Sequence, residues 1–212
     1  MTIYTSFVQL SALPDGFLEL NSNILTDQER SYAAAITDWL QQSEWRCGRI
    51  LLRYLVATAY DVPISDITIH SLSSGQLVAE TPIGQVNVSH SRIPGVWAGA
   101  SARAFPIGLD LVDVTDFPVD VNGDAISADT WATLEALAKV TQRGLDWALS
   151  ATCYPVEGLL TATSGERYRT AFLNNLPIDV RGVVLVPGEH TCDVDEVDIS
   201  AEINCYCNEF NE

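Results

Sequence analysis

Glu135 and Lys139 stand four residues apart, with Trp131 four residues before Glu135, in a stretch whose apolar spacing predicts a helix. That spacing puts the three on one helix face. A carboxylate one turn from an ammonium group can accept a proton and offset negative charge, and it can equally be a solvated surface pair. Asp110 closes an apolar strand, where an aspartate either ligates a hard cation or caps a turn. Ser89 and His90 are adjacent on a strand and so face opposite sides. With no G-x-S-x-G elbow in the chain, they do not make a hydrolase pair. Arg49 and Arg53 share a helix face and either contact an anionic ligand or brace the fold against acidic partners. His190-x-Cys192 and Cys205-x-Cys207 hold four zinc-type ligands. The alternation of Ile199, Ala201, Ile203, Cys205 and Cys207 explains the last two cysteines as small buried hydrophobes on one strand face. His70 and His190 have no motif around them.

The elements that position these residues follow from periodicity. Thr26 and Glu29 form a capping-box pattern that opens a helix over 27–40. A second helix runs over about 44–60, with Ile50, Leu51, Leu52, Leu55, Val56 and Ala59 at helical spacing, and ends at Asp61-Val62-Pro63. Strands are predicted over 66–70, 85–89, 96–100 and 107–112, with a turn at Ser73-Ser74-Gly75. A polar loop over 113–129 leads into a helix over 131–148, capped by Asp129 or Thr130. The remainder reads as strands over 158–163, 180–186 and 197–207. Helices then strands, followed by helix then strands, imply two α+β lobes, 1–102 and 103–212, joined near 101–106.

The bulk properties exclude some functions. The chain has 212 residues, 28 Asp and Glu against 11 Lys and Arg, and a net charge of −17. Lys139 is its one lysine. Such a charge opposes nucleic acid and anionic membrane surfaces as partners. No apolar run is long enough to span a bilayer, and no basic segment precedes the apolar residues near Met1, as a signal peptide requires. Five cysteines in a chain of this size make no dense disulfide framework, so a reduced, cytoplasmic setting is expected.

Four local patterns occur in a meaningful order: Cys47-Gly48-Arg49-Ile50-Leu51-Leu52-Arg53-Tyr54-Leu55, Val86-Asn87-Val88-Ser89-His90-Ser91, Pro106-Ile107-Gly108-Leu109-Asp110, and the nine residues from Trp131 to Lys139. Together they resemble the 4′-phosphopantetheinyl transferase superfamily in its two-lobed, surfactin-synthetase-activating form. The resemblance covers roughly Thr26 to Lys139. It implies two similar α+β lobes with the site at their interface. The implied reaction is Mg²⁺-dependent transfer of the phosphopantetheine arm of coenzyme A to a serine of an acyl or peptidyl carrier protein. By the same resemblance Asp110 and Glu135 bind the metal, and Glu135 is the base. Lys139 and His90 hold the diphosphate, while Ser89, Arg49 and Arg53 lie on the cofactor side.

The chain departs from that pattern at four places. Val112 stands where the family has a second strand carboxylate, with Asp113 one step along on the opposite face unless a bulge intervenes. Leu134 and Gln76 replace lysines. Glu29 and Tyr32 replace basic residues of the first helix. These departures frame the alternative: a family member that has lost transfer and serves as a repurposed enzyme of secondary-metabolite biosynthesis or as a non-catalytic binding protein. The discriminating feature is whether Val112, Leu134, Gln76 and Glu29 all face the site.

Overall fold

A computed structural model describes residues 2–121, 124–151, 158–188 and 193–209. The fold is mixed α+β. The strands are β1 (Thr2–Gln9), β2 (Thr68–Ser71), β3 (Leu77–Thr81), β4 (Gly84–Ile93), β5 (Val96–Ala102), β6 (Gly108–Asp113), β7 (Val119–Val121), β8 (Asp124–Ile126), β9 (Leu159–Thr161), β10 (Arg167–Phe172), β11 (Val180–Pro187) and β12 (Asp193–Glu196). The helices are α1 (Phe17–Leu20), α2 (Asp27–Ala35), α3 (Trp39–Tyr60), α4 (Ala128–Thr141), α5 (Leu145–Ala151) and α6 (Ser200–Glu209). Among the described residues, one sheet has the order β12-β1-β5-β4-β3-β2, a second β6-β11-β10-β9, and β7 and β8 form a hairpin.

Period-two alternation places three apolar layers. Trp97, Val86 and Val88 on one face of the first sheet meet Leu51, Leu52 and Leu55 of α3. Val96, Ala98, Ala100 and Ala102, on the other face, meet Leu109, Leu111, Val184 and Val186 of the second sheet. The second sheet's remaining face, Val112, Val183 and Leu185, packs on Leu134 and Leu137 of α4. β5 is buried along its whole length because it is covered on both sides. The chain crosses to the second sheet between Ala102 and Gly108. It returns at β12, which pairs with β1, and at α6, whose Ile203 and Cys207, with Ile199 just before the helix, enter the α3 core.

The capping box at Thr26 forms as expected: the Thr26 N–H donates to Glu29 Oε2 at 2.9 Å, and the Glu29 N–H to Thr26 Oγ1 at 3.2 Å. Several boundaries differ. The first helix stops at Ala35, and a new N-cap, Asp38, accepts from the Gln41 N–H at 2.8 Å, so α3 begins earlier than the apolar pattern does. The helix expected over 131–148 is two helices, because Gln142 adopts a left-handed conformation (φ 58°) and Gly144 follows with φ 81°. Its cap is Ser127, which accepts from the Thr130 N–H, rather than Asp129 or Thr130. The strand expected over 197–207 is helix α6, so Ile199, Ile203 and Cys207 share a face by four-residue spacing, while Ala201 and Cys205 are exposed. β1, β3, β10 and the β7–β8 hairpin were not anticipated.

Candidate functional site

Asp110 is the third residue of β6 and is 1% exposed. Its Oδ1 accepts from Lys139 Nζ at 2.6 Å and from Ser91 Oγ at 2.8 Å. Lys139 also donates to the Leu109 carbonyl at 2.9 Å, so two of its three N–H groups are fixed. Asp110 Oδ2 is buried and receives no N–H or O–H from the protein. Glu135, one turn before Lys139 on α4, brings its carboxyl to Asp110, and the Trp131 side chain also hydrogen-bonds it. Burial first, then the hydrogen bond and charge of Asp110, push the Glu135 carboxyl up to about 7, against the pull of Lys139. Two carboxyl groups in such contact need a shared proton or a cation between them. Asp110 and Glu135 can therefore share a proton, or hold a cation for which Asp110 Oδ2 is a donor atom. That suits Mg²⁺, which keeps waters and takes phosphate oxygens beside one or two carboxylates. Among the described residues no group of three or more His, Cys, Asp or Glu is arranged to hold a metal.

Two glycines make the contact geometrically possible. Gly108 lies against α4: a Cβ there would be 2.1 Å from the Ala136 carbonyl oxygen and 2.8 Å from the Val140 nitrogen. Strand and helix can approach this closely only at a residue without a side chain, and Asp110 and Glu135 meet next to that point. Gly48 does the same for α3 and β4, since its Cβ would lie 2.9 Å from Cε1 of His90.

His90 rests in that notch, with its ring 6.4 Å from Trp97 and stacked at 28°. Its Nδ1 is buried without a partner. Burial foremost, and then the positive charges of Lys139, Arg49 and Arg92, hold its pKa down to about 3. The imidazole is therefore neutral at physiological pH. It offers a ligand one N–H rather than a charge. Ser89, on the opposite side of β4, accepts from the Leu109 N–H at 3.0 Å and so ties β4 to β6. Gln76, Ser89, His90, Ala138, Lys139 and Gln142 line a cavity of about 440 Å³ where the two sheets meet. Lys139 lies between this cavity and the carboxyls, lining the one and binding the other.

The two arginines are placed differently. Arg53 is fully buried and grips Glu29 with two bonds, Nη1–Oε1 at 3.1 Å and Nη2–Oε2 at 2.6 Å. It also donates to the Ile67 and Arg49 carbonyls. It braces α2 to α3 and does not line the cavity, which is the second of the two roles its sequence position left open. Arg49 lines a separate hollow of about 550 Å³ with Glu29, Tyr32, Trp45 and His70.

Of the four discriminating positions only Gln76 faces the cavity, its Nε2 donating to Asn87 Oδ1 at 2.7 Å. Val112 is on the Asp110 face of β6, but both it and Leu134 are buried in the α4 core, 6% and 5% exposed. Glu29 is held by Arg53. Asp113 does not replace the missing carboxylate: β6 pairs with β11 residue for residue, without a bulge, and Asp113 Oδ1 accepts from Thr115.

Sequence reasoning missed Ser91 as a partner of Asp110, although period-two spacing from Ser89 puts it on the same strand face. His190 and Cys192 lie outside the described residues. Cys205 and Cys207, two apart on α6, point in divergent directions, one exposed and one buried, which opposes a shared metal. No protein-family model matches the chain, and no curated protein matches it.

Proposed function

We propose that the chain is a Mg²⁺-dependent 4′-phosphopantetheinyl transferase that moves the phosphopantetheine arm of coenzyme A onto a serine of an acyl or peptidyl carrier protein. In this reading the two sheets with α3 and α4 are the two lobes, and their junction is the site. The observation that carries it is the buried Asp110, with one oxygen unsupplied, against Glu135 and joined by Lys139 to the 440 Å³ cavity.

Asp110 and Glu135 would hold Mg²⁺, which when bound would offset the charge of the diphosphate and of the leaving nucleotide. The serine oxygen forms a bond to the phosphorus next to the pantetheine, and the bond to the adenosine-side phosphate breaks. Glu135 takes the serine proton, directly or through water. Lys139 uses its remaining N–H on the diphosphate, oriented by Asp110 and Leu109. His90, neutral and locked between Gly48 and Trp97, donates a further N–H.

A second reading, a relative that has lost transfer, is favoured by Gln76 at the cavity and by the engagement of Lys139 with Asp110. Intact-mass spectrometry of a panel of apo carrier proteins incubated with the protein, coenzyme A and Mg²⁺ separates the two. The transferase reading expects one added phosphopantetheine, absent with Glu135→Gln. No gain on any carrier, together with no coenzyme A binding by calorimetry, supports the second reading.

A further inference from the structure

Coenzyme A carries phosphate in two places. One is the diphosphate. The other is a monoester on the ribose 3′ carbon that bears nearly two further negative charges at neutral pH. If the cavity beside Lys139 takes the diphosphate, the neighbouring hollow is the next concavity along the same elements. His90 of the cavity rests on Gly48 of α3, and Arg49, the following residue, lines the hollow. β2 lines the hollow, and the turn after it, with Gly75 and Gln76, lines the cavity. The rings of Tyr32 and Trp45, 5.0 Å apart, give the hollow flat apolar faces of the kind on which a purine stacks.

The charge of that hollow does not suit a second phosphate. Arg49 is the one lysine or arginine among its described lining residues. Its side chain is 12% exposed, bonds the Ile69 carbonyl at 3.3 Å, lies over Trp45 at 5.0 Å and sits 4.0 Å from Glu29 Oε1. Glu29 lines the same hollow, and the buried Arg53 is its other partner. His70, also lining it, is 3.9 Å from the Glu80 carboxylate. Arg49 and Glu29, the charged residues of the described lining, offset each other, and Arg53 behind them is fully buried and spent on Glu29, so no cation there is left for a further phosphate. The other cations close to His90 are taken as well, Arg92 by Glu44 and Lys139 by Asp110. A phosphate dianion in the hollow would be desolvated without a compensating charge, whereas an unphosphorylated ribose would not.

We propose that the donor nucleotide needs no ribose 3′-phosphate, so that dephospho-coenzyme A serves at least as well as coenzyme A. This rests on the transferase reading. The test measures kcat/KM for transfer to one apo carrier by intact mass, with each donor in turn and Mg²⁺ present. The expected ratio is at or above one in favour of dephospho-coenzyme A. Tyr32→Lys, which adds a cation at an exposed position of the hollow, should shift the ratio about tenfold toward coenzyme A. A tenfold or greater wild-type preference for coenzyme A overturns the proposal, as does an unshifted ratio in Tyr32→Lys. If neither donor reacts, the transferase reading falls, and calorimetry with the two donors and Mg²⁺ decides the proposal by itself. Binding of dephospho-coenzyme A as tight as or tighter than coenzyme A sustains it; tighter coenzyme A, or no binding of either, overturns it.

Discussion

Glu135 sets stability against chemistry. Its carboxyl titrates near 7 in the folded chain against an ordinary value of 4.5. Between those values the folded state holds more protons than the unfolded one. The stability that Glu135 contributes therefore falls as pH rises through that window and stays low above it. Solvent reaches this half-buried group, so the loss is about 1 kcal/mol rather than the full shift. Glu135→Gln should melt a few degrees above wild type at pH 8 and close to it at pH 5, with transfer abolished. A difference in melting temperature between Glu135→Gln and wild type that is the same at pH 5 and pH 8 would contradict the carboxyl contact; His90, neutral when folded, raises the stability of both proteins alike over that range. Arg53 is the opposite case, a charge whose partner cannot be spared. Arg53→Met leaves the buried Glu29 with only Arg49, 4.0 Å away, as a counter-charge and should cost about 3 kcal/mol in denaturant unfolding. Adding Glu29→Gln should recover a large part of that, and a purely additive double variant would show that the pair is not the brace described.

The approach of α4 to β6 and of α3 to β4 depends on two glycines that differ in what a methyl group would meet. At Gly108 it meets backbone, at 2.1 Å from the Ala136 oxygen, which can move only if the helix moves. At Gly48 it meets the His90 ring, a side chain. Gly108→Ala should therefore destabilise by about 3 kcal/mol or more and pull Glu135 off Asp110, while Gly48→Ala should cost about 1–2 kcal/mol. Equal losses in thermal unfolding would argue against this ranking. Elements of this kind were only partly visible in the residue order. The face joining Trp131, Glu135 and Lys139, the strand ending at Asp110 and the cap at Thr26 are local patterns, and local patterns survive in a sequence. The Ser91 bond to Asp110 is not local, since it joins positions 19 apart through the meeting of β4 and β6. Ile199, just before α6, and Ile203 and Cys207 within it satisfy both periods, fitting a helix as well as a strand. The choice is made by the α3 core that receives them and by Asp198, whose carboxylate accepts from the Ser200 N–H at 2.9 Å. Arg53 could be either a ligand-facing or a bracing cation until the position of Glu29, 24 residues earlier, was known.

At the scale of the molecule, two sheets share one apolar layer and the C-terminal β12 and α6 fold back onto the first sheet. The site therefore sits at a junction held from both sides, inside a chain of net charge −17. The two charge scales oppose each other. Around His90 the field comes from Lys139, Arg49 and Arg92, whereas at longer range it comes from the acidic excess. A small anionic donor responds mainly to the near field. On the transferase reading a carrier protein would first approach through the far field, and an acidic carrier would be repelled there, which slows encounter. Salt shortens the reach of exposed charges from about 10 Å at 0.1 M to about 3 Å at 1 M and acts far less on buried pairs. Raising NaCl from 0.05 to 0.5 M should therefore increase kcat/KM for an acidic apo carrier roughly threefold or more, with kcat nearly constant because encounter is altered and chemistry is not. A fall in kcat/KM would mean that the carrier docks against the local cations and that the far field is irrelevant to its approach. A fall in kcat itself would place the salt effect on the donor's diphosphate, at Lys139, instead of on the carrier.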